Sequence, residues 1–265
     1  MILHSTLRSH ETGREVILLI HGMGSASTAW QPIMEDLEAA FTVVTVDLPG
    51  HGLTPMDETQ PMDPTALATC VLATMQSLGF DKFHVVGNSL GGWIALEMAA
   101  TTPSAIRSVT GLAPAGLWKE PFIARYPGTD ITRILASSLE VVSPLLLHYE
   151  WARKIVFENV SPRWREFSYE LCRDATHAMA TAAGYYPAWD ALLRKRFDQH
   201  VPASIPVTVI FGDSDRTLPA GTCQERSLVP SHTNWLVFPE CGHAPMWDHP
   251  REVIEQIFLT TGKHN

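Results

Sequence analysis

The chain has 265 residues, 45% of them hydrophobic. This suits one large α/β domain carrying an inserted subdomain better than two separate domains. Its 28 acidic and 19 basic residues leave a formal net charge of −9. Phosphate backbones need a basic face, so nucleic acid is excluded as the expected partner and a small-molecule substrate is not.

The first ten residues, Met1 to His10, lack the apolar stretch of a signal peptide. No run of about 18 apolar residues marks a membrane span, and the expectation is a soluble cytoplasmic protein. Cys70, Cys172, Cys223 and Cys241 form no CxxC pair and read as reduced thiols rather than disulfides or metal ligands. Neither charge nor pattern sets an oligomeric state.

Short apolar runs rich in β-branched residues alternate with helix-like stretches. Val16 to Ile20 and Thr42 to Val46 read as buried strands, followed by Phe83 to Val86 and Ser108 to Leu112, and much later by Val207 to Phe211 and Trp235 to Phe238. Helices are predicted over Ala29 to Ala39, Pro64 to Ser77, Gly91 to Thr101 and Arg251 to Leu259. Continuous apolar strands point to a parallel sheet covered on both faces, and the alternation to an α/β fold. From about residue 119 to 200 the pattern turns helical and aromatic, with Trp151, Phe157, Trp164, Phe167, Tyr169, Tyr185, Tyr186 and Trp189. Pro121, Pro127, Pro144, Pro162 and Pro187 divide it into about four helices. The expected organisation is a core over 1–118 and 201–265 and a helical cap over 119–200. The cap is expected at the carboxyl edge of the sheet, where ligands bind in open α/β folds. Most of its aromatics are expected to fill its own core, and a minority to face a pocket.

Gly87-Asn88-Ser89-Leu90-Gly91 follows a strand and opens a helix. That context holds a serine hydroxyl exposed on a sharp turn, so Ser89 is the candidate nucleophile. A serine hydroxyl needs a base within reach, and the base needs an orienting acid. Of the 12 histidines, His243 follows the last predicted strand and fits the base. His249, before Pro250, reads as structural, as do His21, His51 and His84. Past the strand Val207 to Phe211, both Asp213 and Asp215 compete as the acid, whereas Gly111 to Gly116 offers none. A tetrahedral intermediate also needs two N–H donors. Leu90, the residue after the nucleophile, and Met23, in His21-Gly22-Met23-Gly24, are the candidates. Asp47-Leu48-Pro49-Gly50-His51-Gly52 reads as a structural turn.

These motifs resemble those of the α/β-hydrolase superfamily over nearly the whole chain. His21 to Gly24 is similar to its HG oxyanion loop, Asp47 to Gly52 to its D-x-P-G-x-G turn, and Gly87 to Gly91 to its nucleophile elbow. Gly212-Asp213-Ser214-Asp215 is similar to its G-x-x-D acid motif, and the resemblance puts the acid at Asp215. Gly242-His243 is similar to its GH base motif. Ser89 differs from the aspartate of the haloalkane dehalogenase and epoxide hydrolase branches. The Gly-Asn-Ser-Leu-Gly-Gly wording resembles C–C bond hydrolases of aromatic degradation, which usually carry tryptophan after the histidine. Here that position is Ala244, and His243-Ala244-Pro245 more closely resembles small carboxylesterases and cofactor-free perhydrolases. The implied activity is serine hydrolysis of a small or medium, largely apolar ester, thioester or lactone, with no metal or organic cofactor. The alternatives are C–C bond hydrolysis of ring-cleavage products, and a ligand receptor that keeps the triad with little turnover.

Overall fold

The computed structural model describes residues 1–8, 13–125, 133–134, 137–138 and 140–263. Ser9, His10 and Pro127 of the sequence reading lie outside these. Among the described residues, strands β1 (Ser5–Arg8), β2 (Val16–Ile20), β3 (Thr42–Val46), β4 (Phe83–Asn88), β5 (Ile106–Leu112), β6 (Val207–Gly212) and β7 (Asn234–Phe238) form one sheet. Its order is β1-β3-β2-β4-β5-β6-β7. Only the β1–β3 pairing is antiparallel.

The expected α/β architecture is the observed one. Every residue of β2 is buried, yet its side chains part to two layers. Leu18 and Ile20 join the core under helices α2 (Pro64–Ser77) and α3 (Leu90–Thr101). Ile17 and Leu19 join the core under α1 (Gln31–Ala40) on the other face, which also takes in the last helix (Pro250–Thr261). Successive side chains of a strand point to opposite faces, so a doubly covered sheet requires an unbroken apolar run.

The helices start where their caps allow. Asp63 accepts from Ala66 N–H at 3.3 Å, with Pro64 in the first turn of α2. The last helix opens on Pro250 and closes on Gly262 in the left-handed region at φ 77°. The helix predicted from Ala29 begins as a 3-10 turn, Ser27–Trp30, and becomes α1 only at Gln31. Strands β4 and β5 are longer than predicted by two residues each.

β1 was not anticipated. It is a four-residue edge strand whose residues are half-buried or exposed, so it lacks the apolar run that marks the others.

Between β5 and β6 the described residues include a single helical turn (Ser143–Leu146) and helices α4 (Glu150–Phe157), α5 (Tyr169–Thr181) and α6 (Tyr185–Leu192). The last helix of the chain is therefore α7. Ser168 caps α5 by accepting from Leu171 N–H at 3.1 Å. Phe157, Trp164 and Phe167 pack with Leu147, Leu171 and Cys172 into a small core of their own. The insertion is bonded to loops beyond the carboxyl ends of two strands. Gly184 N–H donates to Gly50 O at 2.9 Å, and His243 N–H donates to Val160 O at 2.8 Å. No helix among the described residues is long and apolar enough to cross a membrane.

Candidate active site

From β2 the chain moves to β3 on one side, and β4 then returns to the other side of β2. Such a reversal opens a crevice at the carboxyl ends of the two central strands. Both the His21 to Gly24 loop and the turn at Ser89 emerge there.

At Ser89 the backbone adopts φ 53° and ψ −116°, a region non-glycine residues rarely occupy and one that costs energy to hold. Two close approaches enforce it. A Cβ at Gly87 would collide with Gly91 O, and a Cβ at Gly91 would collide with Ile20 O. The turn is further fixed by Ser89 N–H donating to Leu112 O at 2.9 Å and by Ala115 N–H donating to Ser89 O at 2.9 Å. The hydroxyl is thereby carried out of the strand and over the start of α3.

Three of the predicted side chains converge. His243 Nε2 lies 3.0 Å from Ser89 Oγ, and His243 Nδ1 lies 2.9 Å from Asp215 Oδ2. The other oxygen of Asp215 accepts from Thr217 N–H and Leu218 N–H, each at 2.8 Å. Burial pushes the Asp215 carboxyl upward. The neighbouring His243 and the two amide donors outweigh it, and hold the group below its ordinary value. Asp213, the competing carboxylate, is exposed and turns to its own loop. It accepts from Ser214 Oγ at 2.8 Å and from Cys241 N–H at 3.4 Å, and makes no bond to His243.

Leu90 is the first residue of α3, and the first N–H groups of a helix have no partner within it. Met23 lies in the loop after β2. Gly22 comes so close to Ser89 that an added Cβ would sit 3.0 Å from Ser89 Cβ. Among the described residues, neither the Met23 nor the Leu90 N–H donates to another backbone carbonyl outside the helices and strands. Met23 packs against the buried cluster of Ala182, Tyr185 and Trp189, as do Phe122 and Met179, an apolar wall contributed mainly by the insertion.

The histidines read as structural do other work. His21 Nε2 accepts from Leu48 N–H at 3.0 Å, and His21 Nδ1 meets Gly22 O at 2.7 Å. His51 Nδ1 meets Pro49 O at 2.9 Å, and His84 Nδ1 meets Ser108 Oγ at 2.8 Å. Asp47 accepts from Ser27 N–H at 2.8 Å and Leu53 N–H at 2.9 Å, so the D-x-P-G-x-G turn braces the loop after β2.

Sequence reasoning missed Asn88. Its amide donates to Leu112 O at 3.0 Å and to His243 O at 3.1 Å, joining the turn at Ser89 to the loop of His243. The sequence signalled only that an amide ends a buried strand and needs partners, not which ones.

The model of the alpha/beta hydrolase family matches residues 17–256. The chain belongs to that family. A pimeloyl-acyl-carrier-protein methyl ester esterase of Pseudoalteromonas atlantica is 26% identical over 266 residues, covering 98% of this chain and 99% of that protein. The dihydrolipoyllysine-residue acetyltransferase component of an acetoin cleaving system in Cupriavidus necator is 36% identical over 239 residues. That match takes in 87% of this chain and 59% of the larger protein. Among solved structures, the enol-lactonase of Burkholderia xenovorans matches with a TM-score of 0.74 at 18% identity, over 98% of this chain and 96% of that one. This last likeness is one of fold.

Proposed function

We propose that this alpha/beta hydrolase is a serine hydrolase that cleaves a small or medium, largely apolar carboxylic ester, thioester or lactone through an acyl-enzyme. One observation carries the reading: a strained serine 3.0 Å from an imidazole whose far nitrogen is 2.9 Å from a buried carboxylate. Ser89 Oγ attacks the carbonyl carbon as its proton passes to His243 Nε2. The carbonyl electron pair moves onto oxygen, where the Met23 and Leu90 N–H groups meet the new charge. Collapse breaks the bond to the leaving group, which takes the proton from His243. Water then repeats the sequence and frees Ser89.

Asp215 fixes the imidazole tautomer and balances its charged form. The donors on Asp215 that favour its ionised state support that role. The residues 119–200 act as a cap, and the apolar side chains around Met23 favour an apolar acyl group. No step calls on a metal or organic cofactor.

The test is labelling with a fluorophosphonate and mapping of the labelled peptide, followed by an acyl-length panel of nitrophenyl esters. Label on Ser89 and turnover that Ser89→Ala lowers by about 10³-fold or more is the expected result. An unlabelled Ser89, or a Ser89→Ala variant that keeps its rate, overturns the reading. A ring-cleavage product supplied alongside the esters separates C–C bond hydrolysis. A thermal shift without product marks a receptor.

A further inference from the structure

The loop bearing His243 is gripped from two sides. On one side His243 N–H donates to Val160 O of the insertion at 2.8 Å, and a Cβ at Gly242 would collide with that same carbonyl. On the other side Gly242 N–H donates to Asp248 Oδ2 at 2.7 Å. The second oxygen of Asp248 accepts from the hydroxyl of Ser161, the residue after Val160. Ser161 Oγ in turn accepts from Arg163 N–H at 2.9 Å.

Asp248 is only 3% exposed, and among the described residues it has no ion-pair partner. Burial pushes its carboxyl up, opposed first by its Ser161 and Gly242 donors and then by the nearby His249 and Arg163. A buried carboxylate without a directly paired cation is costly unless hydrogen bonds satisfy it. Here one donor is the amide next to His243, and the other belongs to the insertion.

We infer that Asp248 is a positioning residue for His243, and that Ser161 makes this hold depend on the docked insertion. Asp248 does not touch the reacting atoms. It fixes the Cys241–Gly242 peptide, immediately before His243, and through it the direction in which the imidazole faces Ser89. The inference rests on the serine-hydrolase reading above. A base misplaced by about an ångström can cost on the order of 10²-fold in rate.

The experiment measures kcat and KM for p-nitrophenyl butyrate, together with the rate of fluorophosphonate labelling. The variants are Asp248→Asn, Ser161→Ala, Ser161→Thr and the distant core control Ile257→Val. Asp248→Asn is expected to lower kcat and labelling together by roughly 10- to 100-fold with KM within about threefold, since the loss lies in the chemical step. Ser161→Ala is expected to lose severalfold, and Ser161→Thr, which restores the hydroxyl, to recover it. Ile257→Val lowers Tm and leaves kcat unchanged. Wild-type kcat in Asp248→Asn and Ser161→Ala overturns the inference alone. So does a control that loses as much kcat for the same fall in Tm. A wild-type protein that is neither labelled at Ser89 nor active overturns the inference together with the hydrolase reading.

Discussion

Every residue of β2, β4 and β6 is buried, whereas α4 of the insertion leaves Trp151 56% and Ile155 61% exposed. Both regions carry apolar residues and place them differently. A strand covered on both faces has no solvent side, so each apolar residue has somewhere to go. The insertion has one small core around Trp164 and Phe167 and one wall shared with Met23. Ala188, Leu192 and Phe197 reach the main core, but among the described residues Ile123, Val141 and Leu145 join Trp151 and Ile155 in facing solvent. Apolar content therefore marks the sheet reliably, and says much less about which insertion residues carry structure.

The largest effect expected from this contrast lies at the carboxyl rim of the sheet. Asp215→Asn removes the acceptor that orients His243 and is expected to lower kcat on the order of 10³-fold. Asp213→Asn, two residues away and turned to its own loop, is expected to stay within about twofold. Initial rates on one nitrophenyl ester decide it, and a more damaging Asp213→Asn breaks the assignment.

Within the insertion, Trp164→Ala should cost about 3–5 kcal/mol, because Trp164 fills the small core. Denaturant unfolding measures that cost. If the unfolding of this variant shows two transitions, the insertion and the sheet are separate cooperative units.

A smaller effect, set by pH, is expected at the seam between the regions. His51 packs against Gly184 of the insertion. Burial, then the charge of His21, depress its pKa from 6.5 to about 3. The unfolded chain therefore binds a proton below pH 6.5 that the folded chain refuses until about pH 3. This contribution to stability is fully present above pH 6.5 and is lost as pH falls toward 3. Between pH 6.5 and 4 the loss is on the order of 3 kcal/mol, read as a falling Tm. A Tm that holds level across that window contradicts it. The smallest effect is expected at Trp151, where Trp151→Ala changes stability by less than about 0.5 kcal/mol, checked in the same unfolding assay.

Much of the fold was legible in the chain. The six strands from β2 to β7 were each marked by an apolar run, and the α2 helix matched its predicted bounds, Pro64 to Ser77. β1 escaped because pairing on a single edge asks little of its side chains: a backbone ladder and a half-buried row suffice. Ser89, Asp215 and His243 were legible as candidates because a strained turn and two rim loops need particular residues at particular spacings. The choice between Asp213 and Asp215 came from resemblance alone at that stage. Only the loop's path shows one carboxylate meeting His243 and the other facing water. Asn88 and Asp248 were invisible as partners, because their bonds reach 155 residues forward and 87 residues back.

Local order was written into the residues themselves: periodic burial, helix caps, and glycines at positions where a Cβ would collide. These are properties of a residue and its near neighbours, and they survive without knowledge of the rest. Which carboxylate faces the imidazole, which aromatics stand in water and which peptide the insertion clamps were settled by folding. Each of these depends on distances between segments remote in the chain, and such distances exist only once the core has packed.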